Sequence, residues 1–127
     1  MTENEIGRII VDTAVQIHRE LGPGLLETVY ENILAYELRQ QNLQVEQQVP
    51  VAIKYRGFRF DKGFRADIIV ENKIIVELKC VEMLNNAHKK QLLTYLRLTG
   101  IRLGYLLNLS DALMKDGIIR TVNQLPE

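Results

Sequence analysis

The 127-residue chain balances 16 Lys+Arg against 16 Asp+Glu, and 46% of its residues are hydrophobic. This length and composition predict a single domain over 1–127 and exclude a disordered tail, a collagen-like repeat and a disulfide scaffold. One cysteine, Cys80, excludes an intramolecular disulfide, and likewise a four-thiolate cluster or zinc site within one chain.

The start, MTENEIGRII, is acidic and lacks an apolar signal core, so no signal peptide is expected. Thr2-x-x-Glu5 reads as a capping box ahead of Ile6, Ile9, Ile10, Thr13, Ile17 and Leu21, which predicts a helix over 3–21. Gly22-Pro23-Gly24 stops it. A second helix is predicted over 25–41, with Leu26, Val29, Tyr30, Ile33, Leu34 and Leu38 as its apolar stripe.

The period then changes. Val45, Val49, Val51, Ile53 and Tyr55 read as an extended, edge-like strand bent by Pro50. Gly57 and an Asp61-Lys62-Gly63 turn punctuate the stretch around Phe58–Phe60. Residues 64–70 and 73–79 are near-continuous apolar strands, expected to be buried on both faces. A third helix over 86–99, with Leu92, Leu93, Tyr95, Leu96 and Thr99 inward and Gly100 after its end, precedes strands at 101–107 and 117–122. The order α-α-β-β-β-α-β-β predicts an α/β fold, a mixed sheet flanked by helices. The apolar runs, such as Ile68–Val70 and Ile74–Val76, are too short to span a bilayer, and a cytoplasmic protein is expected.

Three charged residues interrupt the apolar strands: Asp67 in ADIIV, and Glu77 and Lys79 in IIVELK. A charge there must be paired, bind a cation, or cost several kcal/mol. Glu77 and Lys79 share a face because strand side chains alternate. Whether Asp67 joins them depends on the hairpin. A two-residue Glu71-Asn72 loop puts Asp67 on the opposite face; a three-residue loop Val70-Glu71-Asn72, with Asn72 left-handed, pairs Asp67 with Ile75 and brings it to the Glu77 face. The odd loop is the expectation. The two carboxylates and the Leu78 carbonyl then make hard oxygen ligands for Mg²⁺, with Mn²⁺ as a substitute, and Lys79 holds a phosphate oxygen or the attacking water. A plain ion pair of Lys79 with Glu77 or Asp67 is the alternative.

Glu27, in Gly24-x-x-Glu27-x-x-Tyr30, is either a first-turn acid favoured by the helix dipole or a third carboxylate for the same metal. Gln91 and Tyr95 lie four apart on one face of the third helix, where Gln91 can contact substrate phosphate or orient Lys79. His18 reads as a packed histidine more readily than as a ligand.

From His18 to about Leu107, HRELGPGLLETVYENIL, RADIIVENKIIVELK and QLLTYL together resemble the family named for its GxxExxY motif, within the PD-(D/E)XK nuclease-like superfamily. The resemblance implies a restriction-endonuclease-like αβββαβ core with an extra N-terminal helix. It carries Asp67, Glu77 and Lys79 over as motif residues and Glu27 as the helix acid. Gln91-x-x-x-Tyr95 looks like the QxxxY motif of the exonuclease-like branch. Ala66 stands where the superfamily name has proline, at a position that donates no ligand. The implied activity is metal-dependent phosphodiester hydrolysis of DNA or RNA; a non-catalytic nucleic-acid-binding or protein-interaction module on the same fold is its rival.

The balanced charge hides a segregation that bears on this. Residues 1–50 hold three bases and eight acids, residues 51–110 eleven bases and five acids. Lys54, Arg56, Arg59, Lys62 and Arg65 form one basic run, and His88, Lys89, Lys90, Arg97 and Arg102 another. Arg65, Lys89, Lys90 and Tyr95 are the expected nucleic-acid contacts. The sequence displays no recognition helix, zinc finger or aromatic stacking series, so specificity is expected from a homodimer or a partner subunit.

Overall fold

A computed structural model describes residues 1–126. The first helix, α1 (Glu3–Leu21), begins with the expected box: the Glu5 amide donates to Thr2 Oγ1 at 3.2 Å, and the Thr2 amide to Glu5 Oε1 at 3.0 Å. It buries Ile6, Ile10, Ala14 and Ile17 and ends where Gly22, at φ 70°, donates its amide to the His18 carbonyl. The second helix, α2 (Glu27–Gln40), starts two residues later than its pattern suggests. It also turns a different face inward: Tyr30, Glu31, Leu34, Ala35 and Leu38 are buried, while Leu26 and Val29 are exposed. The Tyr30 hydroxyl decides this rotation, donating to the Gly22 carbonyl and accepting from the Leu25 amide, so the ring is drawn under the Gly-Pro-Gly break.

Five strands follow: β1 (Val45–Tyr55), β2 (Phe58–Val70), β3 (Ile74–Lys79), β4 (Leu103–Asn108) and β5 (Ile118–Val122), ordered β1-β2-β3-β4-β5 in one sheet. All neighbours are antiparallel except β3 and β4, which are parallel and joined by α3 (Asn86–Thr99). The Asp61-Lys62-Gly63 turn expected from the sequence is instead a bulge inside one continuous β2: the register steps from Val51↔Phe64 to Ile53↔Phe60. Ile53 packs over Gly63, which is why the extra residues are absorbed without ending the strand. A 3₁₀ turn, Met114–Gly117, leads into β5.

The sheet is covered on both faces. α1 and α2 pack on Ile68, Val70, Ile74, Val76, Leu78, Leu103, Tyr105 and Leu107. The opposite face, Ala66, Ile69, Ile75 and Leu106, is covered by Leu92 and Leu96 of α3. β4 is buried along its whole length and β3 up to Lys79, as their continuous apolar runs require. The architecture is the expected mixed α/β one. Among the described residues no helix is long and apolar enough to cross a membrane.

Close approach of α1 to β4 rests on Gly7, where an added methyl would overlap the Tyr105 hydroxyl and lie 3.2 Å from two ring carbons. Gly7→Ala gains about 1 kcal/mol of helix propensity but overpacks a buried ring at about 1–3 kcal/mol. A net loss of about 1 kcal/mol is expected in urea unfolding; an unchanged or higher midpoint would show that the ring can move aside.

Candidate active site

The hairpin between β2 and β3 has the odd loop, shifted along the chain by one residue. Glu71, Asn72 and Lys73 form it, so Val70 pairs with Ile74 and Ile69 with Ile75, rather than Ile69 with Lys73. Glu71 and Asn72 are both left-handed, at φ 53°. Glu71 is held there by a reciprocal clamp: its amide donates to the Gln44 carbonyl at 2.8 Å, and the Gln44 amide donates to its carboxylate at 2.8 Å. The parity of the loop is retained, so Asp67 falls directly across from Glu77 in register.

At that position the ladder opens. Strand pairing between β2 and β3 stops at Ile68↔Val76. Beyond it the side chains take over the main-chain bonding: the Asp67 amide donates to Glu77 Oε2 at 3.1 Å, and the Leu78 amide donates to Asp67 Oδ2 at 3.0 Å. Each acid caps the strand of the other, which brings the two carboxyl groups together. Glu77 is 5% exposed. Burial, and then the adjacent Asp67 carboxyl, push its pKa up to about 9, against the pull of the Asp67 amide and Lys79. At neutral pH the metal-free pair therefore retains a proton.

Lys79 ends β3 and is half-buried, with no ion pair and no side-chain hydrogen bond among the described residues. Among the described residues the ion pairs are Arg59–Asp61 and Arg102–Glu3, so a plain Lys79 ion pair with Glu77 or Asp67 does not form. Its main chain is fixed instead. The Lys79 carbonyl accepts from Leu109, and the fully buried Asn108 side chain clamps Val81 by donating to its carbonyl at 2.9 Å and accepting from its amide at 3.1 Å. A buried Asn closing β4 is the only sequence sign of that clamp.

Glu27 is not brought to the acidic pair. It is the exposed first residue of α2 and accepts from the Cys80 amide at 3.2 Å, at the end of β3 beyond Lys79. The helix acid linked to Asp67, through the Gln48 side chain, is Glu31, one turn further on and 7% exposed. Gln47 donates to it at 2.8 Å, and Gln48 bridges it to Asp67 Oδ1, 3.4 Å from the Gln48 amide nitrogen. Gln48 sits at φ 52° in mid-strand, a conformation rare for a non-glycine residue. Sequence reasoning missed Glu31 because Leu26 and Val29 defined the wrong inner face; its position one after Tyr30 was the available signal. Among the described residues no three His, Cys, Asp or Glu side chains converge as a metal cluster.

Tyr95 of α3 closes the other side. Its ring stacks on Phe64 at 3.8 Å between centroids and 6° between planes. Burial and the Glu77 and Asp67 carboxyls raise its pKa, while Gln91 lowers it, which sets Gln91 beside the Tyr95 hydroxyl. Arg65, Lys89 and Lys90 are exposed, Arg65 two residues from Asp67 and the lysines in the first half of α3. His18 is buried elsewhere, its Nε2 without a partner among the described residues, beside a cleft of about 490 Å³ lined by Arg19, Pro23 and Met114 rather than by the acidic pair.

The donor set suits a hard divalent cation. Two adjacent carboxyls, one of which keeps its proton, have no ion-pair partner among the described residues, and Mg²⁺ characteristically takes one or two carboxylates and completes its shell with water and phosphate. A family model described as the PD-(D/E)XK nuclease superfamily matches residues 4–121. Among solved structures, the crystal structure of SSO0001 is similar at a TM-score of 0.48 and 18% identity, over 95% of this chain and 79% of that one. No curated protein matches.

Proposed function

The chain belongs to the PD-(D/E)XK nuclease superfamily, and from that premise we propose that it is a divalent-metal-dependent phosphodiesterase acting on DNA or RNA, in that superfamily's GxxExxY branch. The observation that carries the reading is the opened ladder: Asp67 and Glu77 held face to face by each other's strand, with an unpaired ammonium two residues further on. Asp67, Glu77 and the Leu78 carbonyl would hold the ion. Bound there, Mg²⁺ or Mn²⁺ supplies an acidified water and charge neutralisation at the phosphate.

The chain's own residues do the rest. Lys79, free of any carboxylate, is available to hold a non-bridging phosphate oxygen or orient the attacking water. Glu31 and Gln48 keep Asp67 oriented. Glu27 and Tyr30 account for the GxxExxY motif structurally: one ties α2 to the end of β3, the other ties it to the Gly-Pro-Gly break. Gln91 and Tyr95 wall the site, with Gln91 exposed toward substrate.

The test offers labelled single-stranded, duplex, flapped and branched DNA and RNA with Mg²⁺, Mn²⁺ or EDTA. Cleavage that needs the metal and is lost in Asp67→Asn is expected. Absence of cleavage on every substrate, or an Asp67→Asn protein as active as the parent, overturns the reading.

A further inference from the structure

β2 pairs with β3 only over Ile68–Val70, so from Ala66 outward it pairs with β1 alone, and the two strands run on as a ribbon to a tip at Arg56-Gly57. Its register sorts the side chains. Tyr55 lies across from Phe58, and Ile53 across from Phe60, which puts three aromatic rings on one face; Lys54 lies across from Arg59 on the other. These rings are far from core: Tyr55 is 57% exposed, Phe58 70% and Phe60 57%. The aromatic series that the linear sequence does not display is thus assembled by cross-strand pairing.

The ribbon is also strongly cationic. Lys54, Arg56, Arg59, Lys62 and Arg65 stand against one carboxylate, Asp61, which is already paired with Arg59 at 2.9 Å. Arg56 lies over the Tyr55 ring at 5.3 Å, a guanidinium and a ring presented together. Exposed aromatic rings beside cations that, Arg59 apart, have no ion-pair partner among the described residues complement a polyanion that carries flat apolar faces. Bases inside a duplex cannot offer those faces, whereas unpaired ones can. The ribbon is continuous with the site: Phe64 stacks on Tyr95, and Arg65 is two residues from Asp67.

We propose that the β1–β2 ribbon is a nucleic-acid-binding arm, stacking unpaired bases on Tyr55, Phe58 and Phe60 and holding the flanking phosphates with its lysines and arginines. The proposal rests on the phosphodiesterase reading only in naming its substrate class, strands with unpaired bases.

Binding is measured for the full chain by fluorescence anisotropy in EDTA, with a labelled single-stranded oligonucleotide and a duplex of equal length. Tighter binding of the single strand is expected. Phe58→Ala/Phe60→Ala should weaken it about 10–100-fold with the salt slope kept, and Lys54→Ala and Lys62→Ala should each reduce that slope by about 0.7. All these side chains are solvent-facing, and an unchanged melting temperature shows that the variants fold. Full binding by the double variant overturns the proposal. So does a parent protein that binds no oligonucleotide and sediments as a dimer which the double variant dissolves, since the ribbon then serves a second copy. Metal-dependent cleavage with ribbon-independent binding leaves the phosphodiesterase reading standing without the arm; ribbon-dependent binding without cleavage in any metal does the reverse.

Discussion

Glu77→Gln is expected to lose metal-dependent cleavage about 10²–10³-fold while stabilising the metal-free protein increasingly as pH rises above about 4.5. The two effects share one cause. In the fold, Glu77 keeps its proton to about pH 9, whereas the unfolded chain releases it near 4.5. Between those values the folded state binds more protons than the unfolded one, so stability must fall as pH rises. Below pH 4.5 this group subtracts nothing, and the loss is complete only above about pH 9. The slope from one such group is at most about 1.4 kcal/mol per pH unit.

Glutamine removes the titration and keeps the bonding. Its carbonyl still accepts from the Asp67 amide, and its NH₂ group donates to the Asp67 carboxylate where the retained proton lay. Melting curves in EDTA from pH 5 to 9 should therefore diverge, the parent falling and Glu77→Gln staying nearly level. Added Mg²⁺ should flatten the parent's curve and leave the variant's unmoved, because metal binding favours the ionised carboxyl. Parallel curves in EDTA would sink this account of the pair.

Lys79→Met should separate chemistry from structure in the opposite sense, with a loss of about 10²–10³-fold in cleavage and a stability change within about 0.5 kcal/mol. Methionine keeps the stem of the half-buried side chain and removes the ammonium. Were Lys79 the partner of a buried carboxylate, removing it would cost about 3–5 kcal/mol. No such pair exists among the described residues, so the protein should unfold at nearly the parent's urea concentration. A midpoint shift of several kcal/mol with cleavage intact would return Lys79 to a structural role.

The element order, the mixed sheet and the charged trio Asp67, Glu77 and Lys79 were all legible in the linear chain. Capping residues, glycine stops and a switch from helical to strand period act over three or four residues, so they are written where they operate. The odd hairpin loop was legible in parity, because one left-handed Asn suffices to suggest it. Its register was not: Gln44, 27 residues before Glu71, clamps the loop one residue along.

Other outcomes were settled equally far from their own neighbourhood. The inner face of α2 was decided by a hydroxyl reaching back to Gly22, and with it the choice of Glu31 over Glu27 as the acid linked to Asp67. The three exposed rings of the ribbon come from two strands and share a face only through cross-strand register. What the sequence by itself determined is which residue types the sheet would carry and in what order. Only the tertiary structure decided which of them meet, since a carboxylate's proton, a lysine's freedom and a ring's exposure depend on neighbours brought in from other elements.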